Sequence, residues 1–331
     1  MAASWSREQV GVPLGVAFTP FETRADVIMR LAIRADALGF RRVDVAEGWT
    51  HDATILLAEI AQRTSRIGLA SGVLSTWGRT PGTLAMAAAG LQRGSGGRFT
   101  LGLGASSPPL TEGFHGIEWE RPARKLRSTL TAVRALLDGE RLPAPAADAR
   151  PLRLGVLPEE RVPIALAALS ASSIRLAGEL ADEWAPFLWA RSRVDEGREL
   201  LGADSRTRVS VALPVALAEG SAGARELAAW GLSTYVTKMG PLYPRMLGER
   251  FGMRAAVEAV AGAHELPAAA EELAEEVTLM ATFDRADDAI GAWFAAGADD
   301  VSLVLPPGRP EAELTEILEV AADAVAAPRA A

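Results

Sequence analysis

The chain contains no cysteine. That excludes disulfides, thiol nucleophiles and Cys-ligated metals. With three histidines, a His-rich metal site is not expected either, so no metal is assigned. Lysine is scarce, no Lys/Arg-rich run stands out, and the net charge is −8. This balance points away from nucleic acid and from anionic membrane surfaces. The opening segment MAASWSREQVGVP has no apolar centre, so no signal peptide is expected. Polar residues interrupt every long apolar run, so no membrane span is expected. There is no P-loop, no recognisable Ser/His/Asp order and no paired metal ligands. A soluble, cytoplasmic protein is the expectation.

What is present is a chain of 331 residues, 49% of them hydrophobic, ample for a large core. Strand and helix signals alternate throughout. Short apolar runs are read as strands at Leu14–Phe18, Val43–Ala46, Ile67–Leu74 and Phe99–Gly104. Four more are read at Ile164–Ala168, Trp184–Leu188, Val209–Ala216 and Asp300–Leu305. Helical spacing follows each. Ala25–Leu38 stops at Gly39, Asp52 caps a helix through Gln62, and Thr80-Pro81 opens another as N-cap and first helical residue. Arg121–Leu137, Ser172–Ala181, Val194–Leu201, Ala286–Ala296 and Glu311–Ala326 complete the series. Leu142–Leu157 reads as a Pro- and Ala-rich linker or loop. Ala222–Glu276 is too long for one crossover and is read as several helices broken at Gly240-Pro241.

Eight strands, each followed by helix, predict an α/β fold: a (β/α)8 TIM barrel, one domain over residues 1–331, with a helical insertion after strand seven. A doubly wound sheet would want GxGxxG after its first strand. The first turn here is Phe18-Thr19-Pro20-Phe21.

In such a barrel, sites lie at the C-terminal ends of the strands. The most informative stretch is SGGRFTLGLGASS, Ser95–Ser107. Gly102 and Gly104, with Ser106 and Ser107, admit a flat heterocycle at the mouth of strand four, or mark a tight strand exit. Ser71-Gly72-Val73 ends strand three as a special turn or a simple bulge. Glu47, beside Gly48, Trp49 and His51, is a candidate acid/base, or a surface carboxylate paired with an arginine. His115, in Glu112-Gly113-Phe114-His115-Gly116, is a candidate catalytic or loop-packing residue. Arg79 either binds an anion or forms a salt bridge. The Leu169–Ser172 loop either cradles a phosphate or caps a helix. Trp49, Trp77, Trp184 and Trp189 lie in or near strand exits, and several indoles at one mouth favour a flat aromatic ligand.

Four segments resemble the bacterial luciferase-like oxidoreductases. They are Arg66–Val73 with Trp77-Gly78-Arg79-Thr80-Pro81, then Ser95–Ser106, then Glu112–Gly116 with Pro122, Arg124 and Arg127, and finally Val162-Pro163-Ile164 through Arg175–Asp182. The resemblance implies a TIM barrel holding reduced FMN or the deazaflavin coenzyme F-420 at its mouth. The Ser-Gly-Gly-Arg-Phe and Glu-Gly-x-His-Gly patterns look most like deazaflavin-dependent members. It further implies a non-proline cis peptide at Ser71-Gly72 or Gly72-Val73 that props the ring, and a phosphate turn at Leu169-Ser170. That turn is commonly Gly-rich in the family, unlike Leu169-Ser170-Ala171-Ser172 here. Glu47 and Ser106 or Ser107 stand where the family's sugar-phosphate dehydrogenases carry His and Glu, which points away from that reaction.

The resulting expectation is an oxidoreductase using reduced coenzyme F-420 for hydride transfer to an organic small molecule, in secondary metabolism. The alternatives are an FMN-dependent monooxygenase fed by a partner reductase, and a non-catalytic flavin-binding barrel. Glu47 and His115 are the expected proton donors. Phe18, Ser71, Gly72, Val73, Gly104, Ser106, Ser107, Leu169 and Ser170 are the expected cofactor set. Trp49, Trp77, Trp189 and Tyr243 are the expected substrate contacts. Tyr235, Lys238 and Arg245 of the insertion are expected to reach the mouth as part of a lid. A homodimer is implied by the resemblance.

Overall fold

The computed structural model describes residues 12–143 and 148–326. Ten parallel strands form one sheet: β1 Val12–Phe18, β2 Phe40–Val45, β3 Gly68–Ser71, β4 Leu74–Ser75, β5 Phe99–Gly104, β6 Ile164–Ala167, β7 Glu183–Trp184, β8 Arg208–Ala218, β9 Leu279–Thr282 and β10 Asp300–Val304. Their order is β10-β1-β2-β3-β5-β6-β7-β8, and β10 pairs again with β8. The sheet is therefore a closed eight-strand barrel, as the alternation predicts. β4 continues β3 beyond a cis Gly72-Val73 peptide and pairs with β5.

The helices form where apolar periodicity and end signals agree. Ala25–Leu38 buries Val27, Ile28, Leu31, Ala32 and Ala35 and ends on Gly39 at φ +83°. Thr80 accepts from the Thr83 N–H at 3.2 Å with Pro81 in the first turn, and Asp52 accepts from Thr54 N–H at 2.9 Å. Each fully buried aliphatic side chain of these faces stabilises the fold by about 1.5–3 kcal/mol. Among the described residues no helix is long and apolar enough to cross a membrane.

Two expectations need correction. The strand read as Trp184–Leu188 is the short β7, because Phe187 makes only a single bridge to Ala212. β9 was not expected; it pairs only with the upper half of β8, Val215 to Ala218. The insertion ends before it. Its helices are Ser221–Lys238, Leu242–Arg245, a π-turn Met246–Arg250, Arg254–Val260 and Glu271–Val277, broken at Gly240 with φ +80°. The expected linker Leu142–Leu157 carries no helix or strand among its described residues; positions 144–147 lie outside them.

Arg98 works on the opposite face from the mouth. Its guanidinium donates to the carbonyls of Ser95, Ile67, Ala61 and Thr64, tying the end of helix Ala53–Arg63 to the start of β5. A cation on exposed helix-end carbonyls is well placed electrostatically. The first half of SGGRFTLGLGASS is thus a scaffold element, and only its second half reaches the mouth.

Candidate active site

Strand residues alternate between the barrel interior and the helix layer. Paired positions place Arg42, Asp44, Glu183, Ser210, Asp300 and Ser302 inside, toward the N-terminal half. Above them the inward positions are small: Ala17, Ala70, Gly72, Gly102, Gly104, Ala165, Ala167, Ala185 and Ala212. Charges fill the bottom and small residues hollow out the top.

The lower layer is tied together by ion pairs around Arg42. Arg42 meets Glu183 and, at 3.0 Å, Asp44. The Ser302 hydroxyl donates to Asp44 at 2.9 Å and that of Ser210 to Glu183 at 2.9 Å. Burial pushes the Asp44 carboxyl above its ordinary range despite Arg42. For Glu183, burial acts the same way, but Arg42 outweighs it and holds the carboxyl below its usual value.

Gly102 and Gly104 are required by protein, not by free space. The Ser71 hydroxyl accepts from the Gly102 N–H and donates to its carbonyl, both at 2.9 Å. A Cβ on Gly102 would run into the Ser71 carbonyl oxygen. One on Gly104 would lie 2.7 Å from Val73 Cγ2. The sequence reading of these glycines as a direct platform for a flat ligand is therefore corrected. They make room for the Ser71–Val73 bulge, and the bulge itself faces the mouth. Gly72 is exposed and Val73 half-buried, with Asp44 directly beneath Gly72.

Beside this floor, Ser106 adopts φ +63°, and its buried hydroxyl has no partner among the described residues. Ser107 is half-buried next to it. The preceding carbonyl, Ala105, accepts from Trp77 Nε1 at 2.8 Å and Trp119 Nε1 at 3.2 Å. Trp77 is thus a clamp on the Ser106 loop, and Trp119, which sequence reasoning missed, is its partner. Phe18 is buried at the end of β1, and its carbonyl accepts from Ala46 N–H at 3.0 Å.

At the β2 exit, both oxygens of Glu47 accept from Arg79, at 3.0 and 2.6 Å. Arg79 also meets Asp52 at 2.7 Å. Next to Arg79, Gly78 lies under the His115 ring; a Cβ there would come within 2.9 Å of the imidazole. Glu47, Arg79 and His115 are therefore gathered on one rim. At the β6 exit, Ser170 caps helix Ala171–Leu180 reciprocally with Ser173. Its hydroxyl is engaged, while the Ala171 and Ser172 N–H groups have no intrahelical acceptor. The Leu169 carbonyl accepts from Arg250 at 3.0 Å.

An aromatic wall closes the other side. Edge-to-face contacts run from Trp49 to Phe21 (5.2 Å), from Phe21 to Tyr235 (6.4 Å) and from Tyr235 to Tyr243 (5.6 Å). Phe187 packs on both tyrosines, at 4.5 and 5.8 Å. Trp49, Tyr235 and Tyr243 were legible as candidates; Phe21 and Phe187 were missed. Lys238 and Arg245 are exposed. Trp189 does not reach this wall. It is 1% exposed, donates to the Arg193 carbonyl at 2.8 Å, and packs against Trp184, Phe251 and the Arg250 guanidinium. Its reading as a substrate contact is corrected to core and insertion packing.

The luciferase-like monooxygenase family model matches residues 10–318. The chain belongs to that family. A protein of Mycobacterium tuberculosis named as a coenzyme F-420-dependent oxidoreductase is 33% identical over 175 residues, covering 48% of this chain and 50% of the relative. The chain thus matches about half the length of that relative. Among solved structures, the coenzyme F-420-dependent tetrahydromethanopterin reductase of Methanopyrus kandleri superposes with TM-score 0.72 at 18% identity, covering 96% of this chain and 99% of that one. The oxygenating constituent of 3,6-diketocamphane monooxygenase of Pseudomonas putida, in complex with FMN, gives 0.68 at 20% identity, covering 96% and 98%. At these identities the superpositions show the shared barrel.

Proposed function

We propose that this chain is a single-domain oxidoreductase that uses reduced coenzyme F-420 to deliver a hydride to an organic substrate at the barrel mouth. The observation that carries it is the unpartnered, buried Ser106 hydroxyl beside the open Gly72-Val73 floor. A buried hydroxyl without a partner is costly, and a ring with a polar edge satisfies it. The residues present fit such a group. Gly72 and Val73 would support the ring face, and Ser106 and Ser107 would meet its edge. The N–H groups of Ala171 and Ser172, at the helix start, would hold its phosphate.

The cofactor supplies the hydride when bound. The chain's own residues bind, orient and protonate. Both Glu47 oxygens are occupied by Arg79, which suits holding the rim in place. His115, packed on that rim against Gly78, is assigned to hold the proton. The aromatic wall excludes water. That same wall favours the second reading, an FMN-dependent monooxygenase fed by a partner reductase, since a dry pocket protects reactive oxygen species. The enzyme is proposed to work as a homodimer.

Titration of the purified protein with coenzyme F-420 and with FMN, followed by fluorescence, tests this. Preferential F-420 binding that weakens in Ser106→Ala supports the proposal. Preference for FMN moves the assignment to the monooxygenase. Binding of neither makes the barrel non-catalytic and sinks both.

A further inference from the structure

The chain has two tyrosines, and both stand in the aromatic wall. Tyr235 comes from helix Ser221–Lys238 and Tyr243 from Leu242–Arg245, across the break at Gly240. Tyr235 is 7% exposed. Neither hydroxyl bonds to a described residue, and neither is fully shut off from solvent. Buried phenols ordinarily find a partner. Burial raises both above the ordinary tyrosine value, so both stay protonated and can donate. Their neighbours are the rings of Phe21 and Phe187, and the cations Lys238 and Arg245 on the same two segments are exposed. The wall's own described side chains carry no charge and offer flat apolar surface with two neutral donors. Beneath Phe187, Ala185 and Ala212 are half-buried small residues that leave the wall's lower edge open.

We propose that Tyr235 and Tyr243 form a paired-donor subsite for the uncharged carbonyl oxygen of a planar conjugated ligand, whose ring lies against Phe21 and Phe187. As the substrate's subsite, it rests on the oxidoreductase reading; as a binding site it stands separately. The two phenols take the carbonyl oxygen's two lone pairs, and the rings take its face.

The test uses menadione, a planar quinone, and 2-methylnaphthalene, its carbonyl-free counterpart. Without cysteine the chain forms no thiol adduct with the quinone. Binding is followed by tryptophan fluorescence on wild type, Tyr235→Phe and Tyr243→Phe. Each variant should weaken menadione binding about 3- to 10-fold, the loss of one hydrogen bond, and leave 2-methylnaphthalene unchanged. Retained 2-methylnaphthalene binding also shows that the variant is folded. Equal change for both ligands, no change for either, no binding to wild type, or displacement of menadione by FMN or F-420 overturns the subsite. Cofactor titration of the same proteins separates the two ideas. Cofactor binding without tyrosine-dependent menadione binding removes the subsite and leaves the oxidoreductase reading. The converse removes the oxidoreductase reading and leaves the subsite.

Discussion

Glu47 and Arg79 form a two-point ion pair, with each carboxylate oxygen accepting from a different guanidinium nitrogen. Both side chains are little exposed, at 12% and 14%. Such a pair is geometrically specific and stronger than a single contact. It joins the β2 exit to the segment before helix Pro81–Gly94. Glu47→Gln keeps the shape and removes the charge, leaving Asp52 as the carboxylate that pairs with Arg79. The expected result is a loss of about 1–3 kcal/mol of stability, measured by urea unfolding. An unchanged midpoint would show that the rim does not depend on this pair.

The contact between Ser71 and Gly102 makes a sharper case. Gly102→Ala forces a methyl group onto the Ser71 carbonyl, and backbone cannot yield as a side chain would. The expected cost is about 1–3 kcal/mol or more. Ser71→Ala leaves the Gly102 N–H and carbonyl without the hydroxyl that bridges them, at about 1–3 kcal/mol. Thermal unfolding of both variants checks this, and Gly90→Ala, in open helix surroundings, is the control that should cost nothing.

The eight barrel strands were legible because each is a short apolar run bounded by glycine, proline or a helix cap. β9 was not, since four residues on one half of β8 carry no periodicity of their own. The charged interior was hidden for a different reason. In Phe40–Val45, Arg42 and Asp44 alternate with apolar residues as on a solvent-facing strand, and only barrel closure turns them inward. The aromatic wall draws on the β1, β2 and β7 exits and two insertion helices, so chain separation hid Phe21 and Phe187. Gly102 and Gly104 were legible as special but not in role, because the Ser71 carbonyl and the Val73 side chain that crowd them lie a full βα unit upstream.

Glu22 is one carboxylate at which acid sensitivity is expected. Burial raises its carboxyl, but the Arg24 side chain, the Gly308 N–H and the Arg24 N–H outweigh burial and hold it below the ordinary value of 4.5. A lowered folded-state value stabilises the fold at pH above the unfolded value, and that stability is lost as pH falls through the folded one. Glu22→Gln should therefore be less stable than wild type at pH 7, with the difference closing as the pH drops below 4.5. Urea midpoints of the two proteins across pH 7 to 3 provide the check; a constant difference would show that the charge of Glu22 is not what matters.

Trp189 and Trp49 separate packing from mouth. Trp189 is 1% exposed and sandwiched by Trp184, Phe251 and Arg250, whereas Trp49 is 44% exposed with one edge on Phe21. Trp189→Ala should open a cavity and cost about 3–5 kcal/mol, lowering the unfolding midpoint. Trp49→Ala removes little buried surface, so its stability should change by under about 0.5–1 kcal/mol. Its effect should fall on binding of a planar ligand, since it flanks Phe21 at the mouth. The two variants are compared by urea unfolding and by 2-methylnaphthalene titration. Loss of stability in Trp189→Ala with loss of affinity in Trp49→Ala is the expected split. A Trp189→Ala protein that is fully stable yet cannot bind would return Trp189 to the site.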